Sequence, residues 1–219
     1  MQTTWDEAML QSFKTFISEE RDPKSDTAHF TDLDDTLFHY DNKKLRIHVT
    51  DKSGKRVKSL TNSEFNTHKL HPDHHYDFSE FRSSKKFGET AKPIRKMLSK
   101  IKAIHKNNKN VEIVTARSDM DDKHGFIKTL QHHGINPHEI HVRRAGNTGE
   151  KSPALAKHKV IGDLVKKHGY KKVHLYDDSK DNLEHFKKLK QQHPDVELHA
   201  HHVEHDPSTG HVKITTSKA

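Results

Sequence analysis

Phe30-Thr31-Asp32-Leu33-Asp34-Asp35-Thr36-Leu37-Phe38 runs from an apolar, strand-like segment into three carboxylates, and Val173-His174-Leu175-Tyr176-Asp177-Asp178-Ser179 ends the same way far along the chain. Carboxylates gathered where strands stop are oxygen ligands of the kind that bind a hard cation such as Mg2+. One residue separates Asp32 from Asp34. At a strand-to-loop turn, one carboxylate of such a pair can attack phosphorus while the other handles a proton, and a carboxylate nucleophile leads to an aspartyl-phosphate. Asp177, arriving on a neighbouring strand, would complete the cation site. A hydroxyl from Thr115 and an ammonium from a lysine would hold the phosphoryl oxygens. A calcium loop is the rival reading of Asp32-Leu33-Asp34-Asp35, but Leu37 stands at the sixth place, where that loop needs glycine.

Outward from these segments the pattern alternates. Trp5, Ala8, Met9, Phe13, Phe16 and Ile17 recur at helical spacing before Asp22-Pro23, which predicts an amphipathic helix over the first 22 residues. Ala28 to Thr31 reads as a strand. Lys44 to Val49 and Arg56 to Leu60 alternate at period two around the turn-forming Asp51-Lys52-Ser53-Gly54, which predicts a polar-faced hairpin. Leu70 to Gly88 shows no steady period and reads as a loop or small lid. Ile94, Met97, Leu98, Ile101 and Ile104 then form a helical face, followed by the strand Val111 to Thr115 and a helix through Phe126, Ile127 and Leu130 that stops at Gly134. Glu139 to Val142, Lys172 to Tyr176 and Val196 to His201 read as strands, with helices over Ala154 to Lys167 and Leu183 to Leu189 between them. Such alternation predicts an α/β fold, a parallel sheet covered on both faces with its site at the carboxyl ends of the strands. The tail from His205 to Ala219 reads as a short extra strand or a frayed end.

At 219 residues the chain suits one substantial core with a small insertion. It has no cysteine, which excludes disulfides and thiolate metal sites. No apolar run approaches the roughly 18 residues of a membrane span, and the N-terminus lacks a signal-peptide pattern. A cytoplasmic protein with no membrane association is therefore expected. The formal charge of +8 and 23 histidines favour polyanionic partners, though a basic surface also serves solubility alone.

Asp32-Leu33-Asp34-Asp35-Thr36 resembles the DxDxT first motif of the haloacid dehalogenase-like (HAD) phosphohydrolases. Val111-Glu112-Ile113-Val114-Thr115 resembles their second motif, and Tyr176-Asp177-Asp178 their acidic fourth. Lys157 best meets the third, a lysine on the preceding helix, although Lys151 and Lys159 lie close by. The resemblance implies a HAD-like Rossmannoid core over residues 1–38 and 89–204, a small cap of hairpin plus loop over 39–88, and a tail over 205–219. It implies a Mg2+-dependent phosphatase in which Asp32 is nucleophile and metal ligand and Asp34 is general acid/base, offering its backbone carbonyl to the metal. Asp177 would be a further ligand and Asp178 a ligand or a supporting group. Thr115 and Lys157 would bind phosphate, with Thr36 and Arg117 among the substrate-binding residues. An intact Asp34 favours ester hydrolysis over dehalogenation within this family.

The substrate question falls on the insert after the first motif, which carries Lys43, Lys44, Arg46, Lys52, Lys55, Arg56 and Lys58. A basic hairpin beside a phosphatase site suits a nucleotide or a nucleic-acid end, whereas the same residues also serve as plain surface decoration. Arg117 can offer a bidentate phosphate contact or pair with Asp119 or Asp121. The stretch Leu175 to Asp178 followed by Phe186 is also similar to the phosphatase domain of bacteriophage polynucleotide kinase-phosphatases and related RNA-repair HAD domains, here without a kinase P-loop before it. His71-Pro72-Asp73-His74-His75 and His199-Ala200-His201-His202 can be read as transition-metal ligands, but a histidine-rich surface explains them more simply. His39 and His48 are candidates for substrate contact. The alternative function is a nucleic-acid-binding or regulatory protein on a HAD scaffold with little catalysis.

Overall fold

The computed structural model describes residues 25–40, 44–65, 67–107, 109–150 and 152–219, so the helix expected over residues 1–22 lies outside them, as do Lys43 and Lys151. In chain order the described strands are β1 (Thr27–Thr31), β2 (Phe38–Tyr40), β3 (Ile47–Asp51), β4 (Arg56–Leu60), β5 (His74–Asp77), β6 (Ala91–Pro93), β7 (Asn110–Thr115), β8 (His141–Arg144), β9 (Lys172–Asp177), β10 (Glu197–His205) and β11 (Val212–Lys218). The longer helices are α1 (Ser84–Thr90), α2 (Arg95–Lys106), α3 (Lys123–His132), α4 (Pro153–His168) and α5 (Lys180–Lys187), with single turns at Asn62–Phe65, Ser79–Arg82 and Leu189–Gln192.

Alternation along the strands splits the core in two. Ala28, Phe30, Val114, Val173, Leu175, Leu198 and Ala200 pack with Ala156, Ile161, Leu164 and Val165 of α4 and with Leu183 and Phe186 of α5. The opposite sheet face sends Val111, Ile113, Tyr176 and Val203 against Met97, Leu98 and Ile101 of α2 and Phe126 and Leu130 of α3. Period two on the strands and period 3.6 on the helices thus meet in a mixed α/β layer structure. The helix ends obey local chemistry. Ser152 caps α4 by accepting from the Leu155 N–H at 3.3 Å, Pro153 opens it, and Gly169 closes it at φ +64°.

The six-stranded sheet has the order β11-β10-β9-β1-β7-β8, parallel except for the β10–β11 pair. After β1 the chain builds β7 and β8 on one side, then crosses to build β9 and β10 on the other. The strand order therefore reverses at β1, which opens a crevice at the carboxyl ends of β1 and β9, where an open α/β sheet binds its ligand.

Four expectations shift. β8 starts at His141 because the Glu139 and Ile140 N–H groups both donate to the Asn136 carbonyl at 2.9 Å, which makes that stretch a turn. β10 runs on to His205 because the tail forms β11 and pairs with it from His199↔Lys218 to His205↔Val212. The insert is more than a hairpin and loop: β5 adds to β3, giving a three-stranded antiparallel sheet of order β4-β3-β5. The hairpin is not polar-faced throughout either, since Ile47, His48 and Val49 of β3 are buried. His48 is kept inside by Ser59 at 2.8 Å and Glu80 at 3.2 Å. A ribbon of β2 with β6 joins this insert to the core. Among the described residues, no helix is long and apolar enough to cross a membrane.

The histidines of the central strands form a stack. In-register pairing places His29 beside His174 and His174 beside His199, with ring centroids 4.3 and 4.5 Å apart, while Tyr176 lies 4.3 Å from His201. His174 Nδ1 meets His201 Nε2 at 2.9 Å, and among the described residues these histidines do not form a group of three or more ligand atoms close enough to share a metal. Burial, reinforced by neighbouring imidazoles, lowers His29 and His201 to about 3 and His174 to about 4. The unfolded chain protonates these rings near 6.5, so their contribution is complete above that pH and is lost as pH falls toward 4. The raised carboxyls at the strand ends, Asp32 and Asp178, act in the opposite sense over the same range, so the histidine share is read as a difference: the stability of the wild type relative to His201→Phe should fall by about 2 kcal/mol between pH 7 and pH 5 in denaturant titrations. An unchanged difference between the two proteins would contradict the stack.

Candidate active site

β1 ends at Thr31, and the next six residues fold back tightly, the N–H groups of Leu37 and Phe38 both reaching the Leu33 carbonyl at 3.0 Å. Asp35 adopts φ +55° at the bend, a left-handed conformation that aspartate tolerates better than most side chains. This loop presents Asp32 and Asp34 at the crevice. The Asp32 N–H donates to the Tyr176 carbonyl at 2.8 Å, which ties the loop to β9 and brings Asp177 and Asp178 alongside. Asp32, Asp177 and Asp178 each offer an oxygen within 4.8 Å of the others.

Lys157 crosses from α4 into this group. Its ammonium lies 2.7 Å from Asp32 Oδ1 and 2.7 Å from Asp177 Oδ2, and the side chain is 2% exposed. The other Asp177 oxygen accepts from the Ser179 N–H and from Asn182 Nδ2, both at 2.9 Å. Thr36 Oγ1 reaches Asp178 at 3.4 Å. Lys159, by contrast, is exposed and pairs with Glu150 at 3.5 Å.

Asp34 is held by a different cation. Arg117, two residues beyond the end of β7, donates from Nε to both Asp34 oxygens at 3.1 and 3.0 Å and from Nη2 to Oδ1 at 2.7 Å. Its Nη1 donates to the Phe81 carbonyl. The guanidinium also lies 4.8 Å from the Phe81 ring, 5.1 Å from Phe87 and 5.5 Å from Tyr40, an aromatic box around a buried charge. Thr115 is fully buried; its hydroxyl lies 3.4 Å from Asp34 Oδ2 and accepts from the Arg117 N–H at 3.2 Å. Gly146 lets the loop after β7 approach this closely, because a Cβ there would meet the Ala116 carbonyl oxygen at 2.4 Å.

The electrostatics follow from crowding. Burial pushes the Asp32 carboxyl up to about 7 against the pull of Lys157, with Asp177 and Asp34 adding to the rise. Burial and the charges of Asp177 and Asp32 push Asp178 well up too. Burial works against the charges of Lys157 and Arg117, but their carboxylate partners outweigh it and raise both. One lysine thus stands against three clustered carboxyls, a donor set rich in oxygen and short of positive charge. That combination suits a hard divalent cation, and this acidic trio could hold one.

The site opens into a cavity of about 480 Å3. Asp32, Asp34, Arg117, Lys157 and Asp178 line it; Thr36, Thr115 and Asp177 sit behind the lining. The hairpin's Lys44, Arg46, Lys52, Lys55, Arg56 and Lys58 do not line it, and neither do His39 and His48. Arg117 pairs with neither acid considered for it: Asp119 bonds Arg144 at 2.9 Å, and Asp121 accepts from the Ser84 N–H at 2.7 Å. Sequence reading did not single out Asn182, or Asn62, whose amide reaches Asp35 at 2.7 Å from the cap. Nothing in the spacing marks Asn62. Asn182, in the first turn of α5 after the Ser179 cap, was the findable one. Searches against protein-family models, curated proteins and solved structures return no match for this chain.

Two outcomes test this geometry. At pH 7.5, MgCl2 at ten times its dissociation constant should stabilise the protein by about 1.4 kcal/mol, read as a rise in calorimetric Tm that Asp178→Asn diminishes. Absence of any rise at millimolar Mg2+ would refute the cation site. Arg117→Lys gives up the forked contact with Asp34 and the stacking in the aromatic box, and should cost about 3 kcal/mol in urea unfolding.

Proposed function

We propose that the protein is a Mg2+-dependent phosphatase of the HAD type, which hydrolyses phosphate monoesters through an aspartyl-phosphate on Asp32. The observation that carries this reading is the Lys157 bridge: a buried ammonium 2.7 Å from both Asp32 and Asp177, at the point where the strand order reverses, beside a cavity that Asp32 lines. An Asp32 oxygen bonds to phosphorus as the bond from phosphorus to the ester oxygen breaks, and the departing oxygen takes a proton from Asp34. Water then attacks the same phosphorus while Asp34 takes its proton back, which releases inorganic phosphate and restores the Asp32 carboxylate. Both Asp34 oxygens accept hydrogen bonds in the structure, the arrangement needed for the second half. Arg117 and Thr115 act through Asp34 as positioning residues, and Lys157 holds Asp32 and neutralises charge next to the transferred group.

Mg2+, held by Asp32, Asp177 and Asp178, would supply further positive charge to the phosphoryl oxygens. The expected substrates are nucleotides or nucleic-acid ends. Phosphate release from a panel of phosphorylated nucleosides, oligonucleotides and sugars should require Mg2+, vanish in Asp32→Asn, and fall by about 10²- to 10⁴-fold in Asp34→Asn. Turnover surviving in Asp32→Asn would sink the proposal.

A further inference from the structure

Half of the side chains with which the cap lines the cavity are Phe or Tyr rings, beside Ile47, Asn62, His68 and Arg82. Phe65, Tyr76 and Phe78 all line it, together with the acidic residues of the core. Their centroids lie 4.9 Å (Phe65 to Tyr76), 5.4 Å (Phe65 to Phe78) and 5.8 Å (Tyr76 to Phe78) apart, with Phe65 nearly perpendicular to both others. No two of these rings are stacked face to face, and Phe78 remains 39% exposed, a large apolar ring facing water.

The wall is built in advance. Tyr76 sits on β5, and its hydroxyl is fixed by His68, whose Nδ1 lies at 2.9 Å and whose carbonyl accepts from it at 3.2 Å. Phe78 immediately precedes the turn Ser79–Arg82, and its carbonyl accepts from the N–H groups of Phe81 at 2.9 Å and Arg82 at 3.2 Å. Neighbouring Asp77 accepts from the Ser79 N–H at 2.8 Å. Rings held this way lose little freedom when a ligand packs on them.

We propose that Phe65, Tyr76 and Phe78 form a stacking subsite for a nucleobase, which makes the substrate a base-bearing phosphate monoester and not a simple sugar phosphate. The inference rests on the phosphatase reading for the bond that is cleaved, but the recognition is a property of the cap. From the cap, Ile47, Phe65, Tyr76, Phe78 and Phe81 line the cavity against the polar Asn62, His68 and Arg82, a wall that offers more ring and aliphatic surface to a flat base than hydrogen-bonding groups to a sugar's hydroxyls. The volume of about 480 Å3 falls within the roughly 300–1,000 Å3 of small-ligand sites. Stacking on aromatic side chains tolerates any base, because each presents a π face.

The test measures dissociation constants by calorimetry for adenosine 5'-monophosphate, adenosine 3'-monophosphate, a 3'-phosphorylated tetranucleotide and ribose 5-phosphate on Asp32→Asn, with kcat/KM for the same compounds on the wild type. Base-bearing ligands should bind about 10- to 100-fold more tightly than ribose 5-phosphate. Phe78→Leu, which keeps an apolar side chain but removes the ring, should cut that ratio about tenfold, while Phe78→Trp retains it. Ribose 5-phosphate binding as well as the nucleotides, or a ratio untouched by Phe78→Leu, overturns the proposal. Base-dependent binding without phosphate release from any ester would support the subsite and remove the phosphatase reading. Tighter binding of the tetranucleotide than of the mononucleotides supports the subsite with a nucleic-acid end as the source of the base, and the reverse supports it with a free nucleotide.

Discussion

A lysine ammonium buried between two aspartates holds the functional end of this protein together. Lys157 reaches from α4 across to the ends of β1 and β9, and its position at 2.7 Å from both Asp32 and Asp177 joins one helix and two strands at a single point. Removing either charge would strand the other in a medium that solvates it poorly, so the pair and its surroundings are mutually dependent. Around it, Ser179 and Asn182 satisfy the far side of Asp177, and the Asp32 backbone is bonded to β9. The site is thus preorganised by backbone and side chain together, which an electrostatic catalyst requires.

The second cation, Arg117, links core to cap. Its guanidinium grips Asp34 from the core loop, while Phe81 and Phe87, from the segment after the cap sheet, cover its faces. Asn62 adds a direct tether from the cap to Asp35. The cap is therefore anchored to the same short loop that carries the proposed nucleophile and proton carrier. That attachment sets the aromatic wall beside the acidic cluster, so the part of the chain proposed to choose the substrate rests on the part proposed to react with it.

Much of the frame was legible in the residues. The alternation of β1, β7 and β9, the amphipathic face of α2, and the cap and stop signals of α4 are local, and local periodicity survives folding when its apolar side has a sheet to pack on. Asp32, Asp34 and Asp177 could be named because acids at strand ends are visible one segment at a time; Lys157 came only from the likeness to a family motif, with Lys151 and Lys159 as rivals, and it is the fold that sets its ammonium between Asp32 and Asp177. The reading failed where partners were distant. His74–Asp77 looked aperiodic because its strand character comes from pairing with β3, and the hairpin's basic residues stayed open between substrate contact and plain surface because nothing local shows which way a cap leans.

From the sequence alone came the element types, the parallel α/β class and the acids at the strand ends, all set by side-chain period and backbone preference over a few residues. The tertiary structure decided which groups meet: that Arg117 serves Asp34 and not Asp119 or Asp121, that Lys157 bridges two acids, that the strand histidines stack, and that Phe65, Tyr76 and Phe78 of the cap come together on the cavity wall. Those pairings depend on strand order and on the placing of the cap. Both follow from burying two separate apolar faces at once, a constraint on the whole chain that no short window contains.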